Sequence, residues 1–424
     1  MKWVKGKAEM SKHYQWEKRL ADLSQILINC EKTYFDPNLF RMNTNHFLQT
    51  ARTVTFIIQK NKKLINNYET WYQENVINAW KNDSLMSWAK DSRNTIEKEG
   101  DIDLYSEIDL RIIYSYIEDQ DIVLKSSREA LLSFDVEKLI RYSKKSMPEH
   151  MIDLAVIKIE RRWVANSLPN WELLSALAGI HDRILRCCND LRLHLQPNET
   201  QIESGAEDLA FHESQMKRIN YVKVSDPRIS SLNLMRVQKD INFSLSSDLK
   251  ERMLRHKDDV VVKSSSDLVE LYSRLAPESF LHFGSHIPIL YLFDEEFEVI
   301  DLISTQFDHQ TTKYIFWRYI ADLVAVRKPF AVMFIAEAWI RDAKNINTVP
   351  MAELLIKGEI LQLVLIDKND EKYRVNWTIS RVKNSVETSL SSPNIFKGGE
   401  ALSEFNFLTP VKKSLQLAWE SRQK

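Results

Sequence analysis

Glycine is scarce in this chain, 8 of 424 residues, where about 7% is usual. Phosphate-cradling loops depend on glycine, because only a residue without a side chain lets the backbone close around a phosphate. Neither G-x-G-x-x-G nor G-x-x-x-x-G-K-[ST] occurs, which excludes the common nucleotide-fold loops. Cysteine is rarer still: Cys30, Cys187 and Cys188, with no C-x-x-C. An odd count with one adjacent pair excludes a disulfide framework and the paired-cysteine zinc and redox motifs. Long apolar runs are missing too. The stretch 330–335 is among the longest, far below the roughly 18 residues of a membrane span. Charge of one sign is not in excess, with 58 Lys+Arg against 59 Asp+Glu and a net charge of −1. Such a balance gives no global pull toward nucleic acid or an anionic membrane, so any polyanion site must be a local patch. No G-x-S-x-G elbow is present to carry a serine nucleophile. Residues 1–16 are charged throughout and lack an apolar secretory core. These absences point to a cytoplasmic, reduced protein without a membrane partner.

What is present is an ordinary globular composition, 44% hydrophobic and 28% charged, and enough length for two or three domains. Asp36-Pro37-Asn38 is a helix start. Leu39, Phe40, Phe47, Leu48, Ala51, Val54, Ile57 and Ile58 then recur at three- and four-residue spacing, one apolar helix face. A second helix is expected over 68–80. A third, over 85–99, is capped by Asn82-Asp83-Ser84 and closed by Gly100. Helical spacing continues through 107–118, 136–141 and 171–195, and Pro197 ends the last of these. The polar stretch 197–204 is the expected domain boundary. Beyond it, 249–257, 266–276, 311–326 and 410–419 have helical spacing, while 289–293 and 330–335 suit strands. Tyr373, Val375, Trp377 and Ile379 alternate strictly with Arg374, Asn376, Thr378 and Ser380. With 360–366 and the turn 367–371, they predict an antiparallel hairpin over about 359–381.

One helical constellation hints at chemistry. Trp80, Asp83, Leu85, Met86 and Trp88 lead into Asp91-Ser92-Arg93-Asn94-Thr95-Ile96-Glu97-Lys98-Glu99-Gly100-Asp101. Arg93 and Asn94 resemble the first two positions of the Arg-polar-x-x-x-His signature of HEPN-type helical domains. With Asn43, Phe47, Arg52, Gln59, Trp71 and Tyr72, the span of about 30–125 resembles bacterial proteins with a HEPN-like four-helix core. The resemblance implies a homodimer that pairs through the helical part, and the residue spacing gives the expected fold: an all-α N-terminal domain over 1–200, followed by an α+β domain with an antiparallel sheet over 201–424. In nuclease members of that family the His moves a proton at the RNA 2′-hydroxyl and the Arg stabilises phosphorane charge. Here Lys98 stands at the His position, and an ammonium has no lone pair with which to take a proton. That departure leaves the catalytic residues open, with Arg93, Asn94 and Lys98 as the candidates. Arg41, Arg52, Arg93 and Lys98 are the candidates for nucleic-acid binding. The implied function is a degenerate module that binds RNA, nucleotide or a protein partner, with bacterial defence or stress response as its setting. An active metal-independent ribonuclease and a purely structural or dimerisation protein are the alternatives. No cofactor or metal is expected.

Other signals are weaker. Arg41 and His46 make a literal Arg-x4-His, but residues five apart on a helix point about 140° from each other. His282 and His286 have the spacing of two metal ligands on a helix, with Gly284 and Pro288 against a helix there. Glu337 falls just past the expected end of the 330–335 strand. Lys60/Lys62/Lys63, Lys144/Lys145 and Arg161/Arg162 are short basic groups whose default reading is a solvated face.

Overall fold

The computed structural model describes residues 14–116, 118–124, 133–197, 200–202, 217–226, 234–236, 246–307, 310–342, 344, 354–381, 388–402 and 406–420. Most of the N-terminal stretch read for a signal, and much of the 197–204 boundary, lie outside them. The chain divides into two compact units. The first comprises Met1–Ile112, Val123–Ile152 and Ile157–Pro227; the second comprises Ile113–Ile122, Asp153–Val156 and Arg228–Lys424.

The first unit contains α1 (Gln15–Lys32), α2 (Pro37–Lys60) and α3 (Tyr68–Tyr72), which widens into a π-helical turn over Gln73–Asn78. It continues with α4 (Ser84–Lys98), β1 (Leu104–Ile113), β2 (Ile122–Leu124), α5 (Val136–Lys144), β3 (Val156–Ala165), α6 (Leu173–Leu195) and β4 (Arg218–Lys223). The start signals act as the sequence suggests. The Asp36 carboxylate accepts the Leu39 amide at 3.0 Å, and Asp83 accepts the amides of Leu85 and Met86 at 3.0 and 3.1 Å. Those bonds satisfy amides that a bare helix end would leave without partners. Gly100, at φ +118°, turns the chain out of α4, a backbone angle that a side chain would resist. The apolar faces of α1, α2, α4 and α6 meet in one core that includes Leu27, Phe40, Phe47, Val54, Leu85, Leu177 and Ile184.

This part of the chain is not all-helical. Its strands form a sheet in the order β2-β1-β3-β4. Residues 107–118, expected as helix, fall largely in β1. Ser106, Leu110 and Ile112 are buried while Tyr105, Asp109 and Arg111 are exposed, a period of two. Ile108, Ile112 and Ile113 are β-branched, and that stiffness favours the extended chain over a helix turn. The Asn166 amide donates to the Asp103 carbonyl at 3.1 Å, so β3 runs antiparallel to β1. The span 30–125 therefore does not supply a four-helix core by itself; α6, which completes the packed helices, arrives after the sheet. Phe40 stacks on Trp163 at 5.3 Å and the Trp163 indole donates to the Tyr34 carbonyl at 2.8 Å, which fixes β3 against the helices.

The second unit contains β5 (Leu234–Arg236), α7 (Ser247–Asp259), α8 (Ser265–Phe283), β6 (Ile289–Phe293), β7 (Val299–Thr305) and α9 (Gln310–Arg327). These are followed by β8 (Ala331–Arg341), β9 (Ile356–Asp367), β10 (Lys372–Arg381), β11 (Thr388–Leu390), β12 (Asn394–Lys397), α10 (Gly399–Leu402) and α11 (Thr409–Glu420). Its sheet runs β11-β10-β9-β8-β6-β7-β5, with β12 also on β10, and its registered pairs are antiparallel. One face packs Met333, Ile335, Leu363, Val375 and Trp377 beneath α8 residues Leu268 and Phe280. The other packs Val332, Phe334, Val364 and Ile366 against Phe316, Trp317, Val411 and Leu415 of α9 and α11. A strand covered on both faces needs apolar residues at every position, which is why the 330–335 run is continuous. The hairpin forms with Trp377 opposite Leu361.

Candidate functional site

The sequence-nominated residues sit on α2 and α4 and just beyond α4. Arg41 and Asn45, one turn apart on α2, both meet the carboxylate of Asp101 past the end of α4; the amide contact of Asn45 is 2.5 Å. Toward the other end of α2, the Arg52 guanidinium lies 4.3 Å from the centre of the Phe56 ring and the Arg93 guanidinium 5.7 Å from it. The Arg41 contact follows the C-terminal end of α4 while Arg93 sits near its middle. The two helices therefore cross antiparallel, and Arg41, Arg52 and Arg93 share one face. Lys98, in the last turn of α4, is exposed.

The electrostatics rank these cations. Arg93 pairs with Glu97 one turn on, at 2.5 Å, and donates to the Asn94 side-chain oxygen at 3.3 Å. Arg93 is 24% exposed and Glu97 40% exposed, while Arg41 and Asp101 are 40% and 47% exposed. Pairs as wet as these are worth about 0–1 kcal/mol, so a phosphate can displace either carboxylate at little cost. Arg52 donates to the Thr55 hydroxyl at 3.1 Å. Among the described residues, neither Arg52 nor Lys98 has a carboxylate partner. Phe56 is 38% exposed, which leaves part of an aromatic surface open beside two guanidiniums.

The other candidates resolve into structural roles. His46 is exposed on α2, and Arg41 is turned to Asp101 rather than to it. The His286 amide donates to Glu337, and its ring nitrogen Nδ1 contacts the Ile287 carbonyl at 2.7 Å, while His282 is exposed. Among the described residues no three His, Cys, Asp or Glu side chains converge on a metal position. Glu337 does not lie past a strand end, because β8 continues to Arg341; it pairs with Arg381 at 3.0 Å. The cysteines are buried and free, and burial pushes the Cys30 and Cys187 thiols up to about 12. Arg161 and Arg162 are not a solvated patch. Arg161 is fully buried, and its guanidinium donates to the carbonyls of Phe35 at 3.3 Å and Phe134 at 2.5 Å.

Sequence reasoning missed the polar centre beneath that arginine. The Tyr34 hydroxyl lies 2.9 Å from a carboxylate oxygen of Glu172 and accepts the Trp163 amide at 3.2 Å. Glu172 also caps α6 through the amides of Leu174 and Ser175 at 3.0 and 2.8 Å. Burial, then the neighbouring Glu172 charge, holds the Tyr34 hydroxyl protonated far above the usual tyrosine range. His181 is buried against Ser24, 2.8 Å from its hydroxyl, and burial lowers its pKa to about 4. Nothing in the residue spacing signals either group, since their partners lie more than a hundred residues away.

The family profile of bacteriophage lambda protein ea47 matches residues 12–423. The chain belongs to this family. Protein ea47 of Escherichia phage lambda is 44% identical to it over 377 residues, covering 88% of this chain and 91% of that protein. No solved structure matches. This phage family, rather than a HEPN one, is the relationship that the whole length of the chain carries. Family membership fixes ancestry and not chemistry, so function has to be read from the α2/α4 face. Among the described residues no helix is long and apolar enough to cross a membrane.

Proposed function

We propose that the α2/α4 face binds single-stranded RNA without cleaving it. The reading rests on one observation: the exposed Phe56 ring with Arg52 and Arg93 packed beside it. Proteins that hold single strands combine a flat π surface for a base with fixed cations for the neighbouring phosphates. Arg52 supplies a cation without a carboxylate partner among the described residues, Arg41 and Arg93 supply cations held only by wet pairs, and Lys98 adds a further cation about 140° around α4 from Arg93. A net charge of −1 makes such a face a local site on an otherwise neutral protein. Asn94 orients Arg93 and has no acid–base role. Lys98, where the HEPN resemblance expects His, serves as a point charge for phosphate.

Anisotropy with a labelled single-stranded RNA tests this. Phe56→Ala should weaken binding by about 1–3 kcal/mol, the usual value of one stacked base. Replacing Arg52, Arg93 and Lys98 with Ala should also flatten the salt dependence by about one unit per lost phosphate contact. Helicity should stay unchanged, because these charges are not buried. The unmodified protein should leave the RNA intact in metal-free buffer. Equal binding by all the variants, or cleavage that Arg93→Ala removes, would overturn the proposal.

A further inference from the structure

The lysines that follow α2 are brought against a pair of aromatic rings. Lys62–Leu64 form a short helical turn between α2 and α3. The Lys62 ammonium lies 3.6 Å from Glu69 in the first turn of α3, which sets the lysine turn beside the start of that helix. Tyr68 and Tyr72, one turn apart on α3, stack with ring centres 5.2 Å apart and planes 25° apart. The Gln59 side-chain amide donates to the Tyr72 hydroxyl, so the tyrosine stack stands next to α2. Gln59 and Lys60 follow Phe56 by three and four residues, and residues at those spacings are neighbours on one side of a helix.

The charges at this end of α2 are mostly unopposed cations. Lys60 and Lys63 are exposed, and so is Lys90, one turn before Arg93 on α4. Among the described residues none of these three pairs with a carboxylate. Because α4 crosses α2 antiparallel, Lys90 lies from Arg93 toward the C-terminal end of α2, where Lys60 stands. Glu69, the carboxylate beside Tyr68, is already engaged by Lys62. Leu64, next to Lys63, is 72% exposed. Tyr68 and Tyr72 are half-buried against the helical core, so the stack is held in place while part of it meets solvent. An aromatic surface beside cations therefore occurs twice along one side of α2, at Phe56 and at this pair.

We propose that the Tyr68/Tyr72 stack is a second base platform for the same RNA strand, with Lys60 and Lys63 on its phosphates. The proposal rests on the reading of the α2/α4 face as an RNA site, and extends it from one base to a length of strand. Repeated π surfaces flanked by cations bind the bases of a single strand without reading their identity. Phosphate contacts made by lysines that hold no carboxylate break no ion pair. Two bases stacked on protein rings are both out of a duplex, so the ligand is an unpaired strand. It runs along α2 toward the C-terminal end of that helix.

Photo-crosslinking on the full chain tests this. An oligouridylate with several 5-iodouridines is bound at less than one strand per protein and irradiated, and the protein is then digested. Single strands should carry two peptides, the one with Phe56 and the one with Tyr68 and Tyr72. Anisotropy with the same oligouridylate gives the energetics. Lys60→Gln with Lys63→Gln changes exposed side chains, so helicity should hold, and the salt slope should fall by about one unit per lost phosphate contact. Tyr68→Leu with Tyr72→Leu keeps apolar contact with the core but removes both rings; binding should weaken about 5- to 150-fold, the usual worth of one stacked base. If Phe56→Ala weakens binding while neither of these double variants does, and the tyrosine peptide takes no crosslink, the second platform is refuted and the Phe56 reading stands. If the unmodified chain binds no RNA, both are refuted.

Discussion

Arg318 and Asp121 should be strongly coupled. Arg318 on α9 donates to Asp121 at 2.8 Å and to the Ser115 carbonyl at 3.4 Å, and the two side chains are 5% and 4% exposed. Asp121 belongs to Ile113–Ile122, the stretch of chain after β1 that joins the second unit. At 2.8 Å and an effective dielectric of about 20, the Coulomb attraction is roughly 6 kcal/mol. Burial removes several kcal/mol of hydration from each ion, so the pair contributes little net stability over an apolar replacement. Breaking it from one side is different, because the remaining charge stays buried without its counterion. Asp121→Ala and Arg318→Met should each cost about 3–5 kcal/mol. The double variant should cost much less than their sum, with an interaction energy of about 2 kcal/mol or more. Urea unfolding followed by circular dichroism gives all four corners of the cycle. Added salt should change the coupling little, since buried pairs are weakly screened. Additive losses would show that the two charges do not meet.

Trp377→Ala should cost about 3–5 kcal/mol in the same assay, because the indole is 2% exposed within the core under α8; a loss under about 1 kcal/mol would contradict the hairpin register. His181 gives a pH dependence of defined sign. Its folded pKa of about 4 lies below the ordinary histidine value of 6.5, so the unfolded chain takes up the proton first and stability falls as pH drops from about 6.5 toward 4. His181→Gln should remove most of that acid sensitivity, and an unchanged pH profile of the urea midpoint would refute the assignment.

The elements that are legible in the sequence are those whose determinants are local. Asp36-Pro37 at the start of α2, Asp83 before α4 and the alternation from Tyr373 to Ile379 each act within a few residues, and each element forms where its signal lies. β1 reads as helix because its apolar residues fit three- and four-residue spacing as well as they fit alternation, and pairing with β2 and β3 selects the strand. β3 itself is hidden by Glu160-Arg161-Arg162. Charged residues read as surface, yet Arg161 is buried because carbonyls of Phe35 and Phe134, far off in sequence, satisfy its guanidinium. The same limit applies to the site. Arg93 and Arg52 can be nominated from their helices, but Phe56 between them reads as one apolar residue among many. The contact that makes it informative, with Arg93, joins residues 37 positions apart.

The burial of their partners sets the α2/α4 cations apart from the buried cations of the chain. Arg161 is enclosed by carbonyls, and Arg318 is held by Asp121 with the two side chains 5% and 4% exposed. Each of these holds structure together, and drawing one toward a phosphate would expose an unpaired carboxylate or an empty core position. On α2 and α4 the opposite holds. The partner carboxylates Glu97 and Asp101 are themselves 40% and 47% exposed, so water can solvate them when a phosphate takes their arginine. The exchange then costs only the small net value of two surface pairs, while the phosphate gains guanidinium contacts and releases counterions. A nearly neutral protein can bind a polyanion in this way, provided that its available cations are few, on one face and weakly held, as Arg41, Arg52 and Arg93 are.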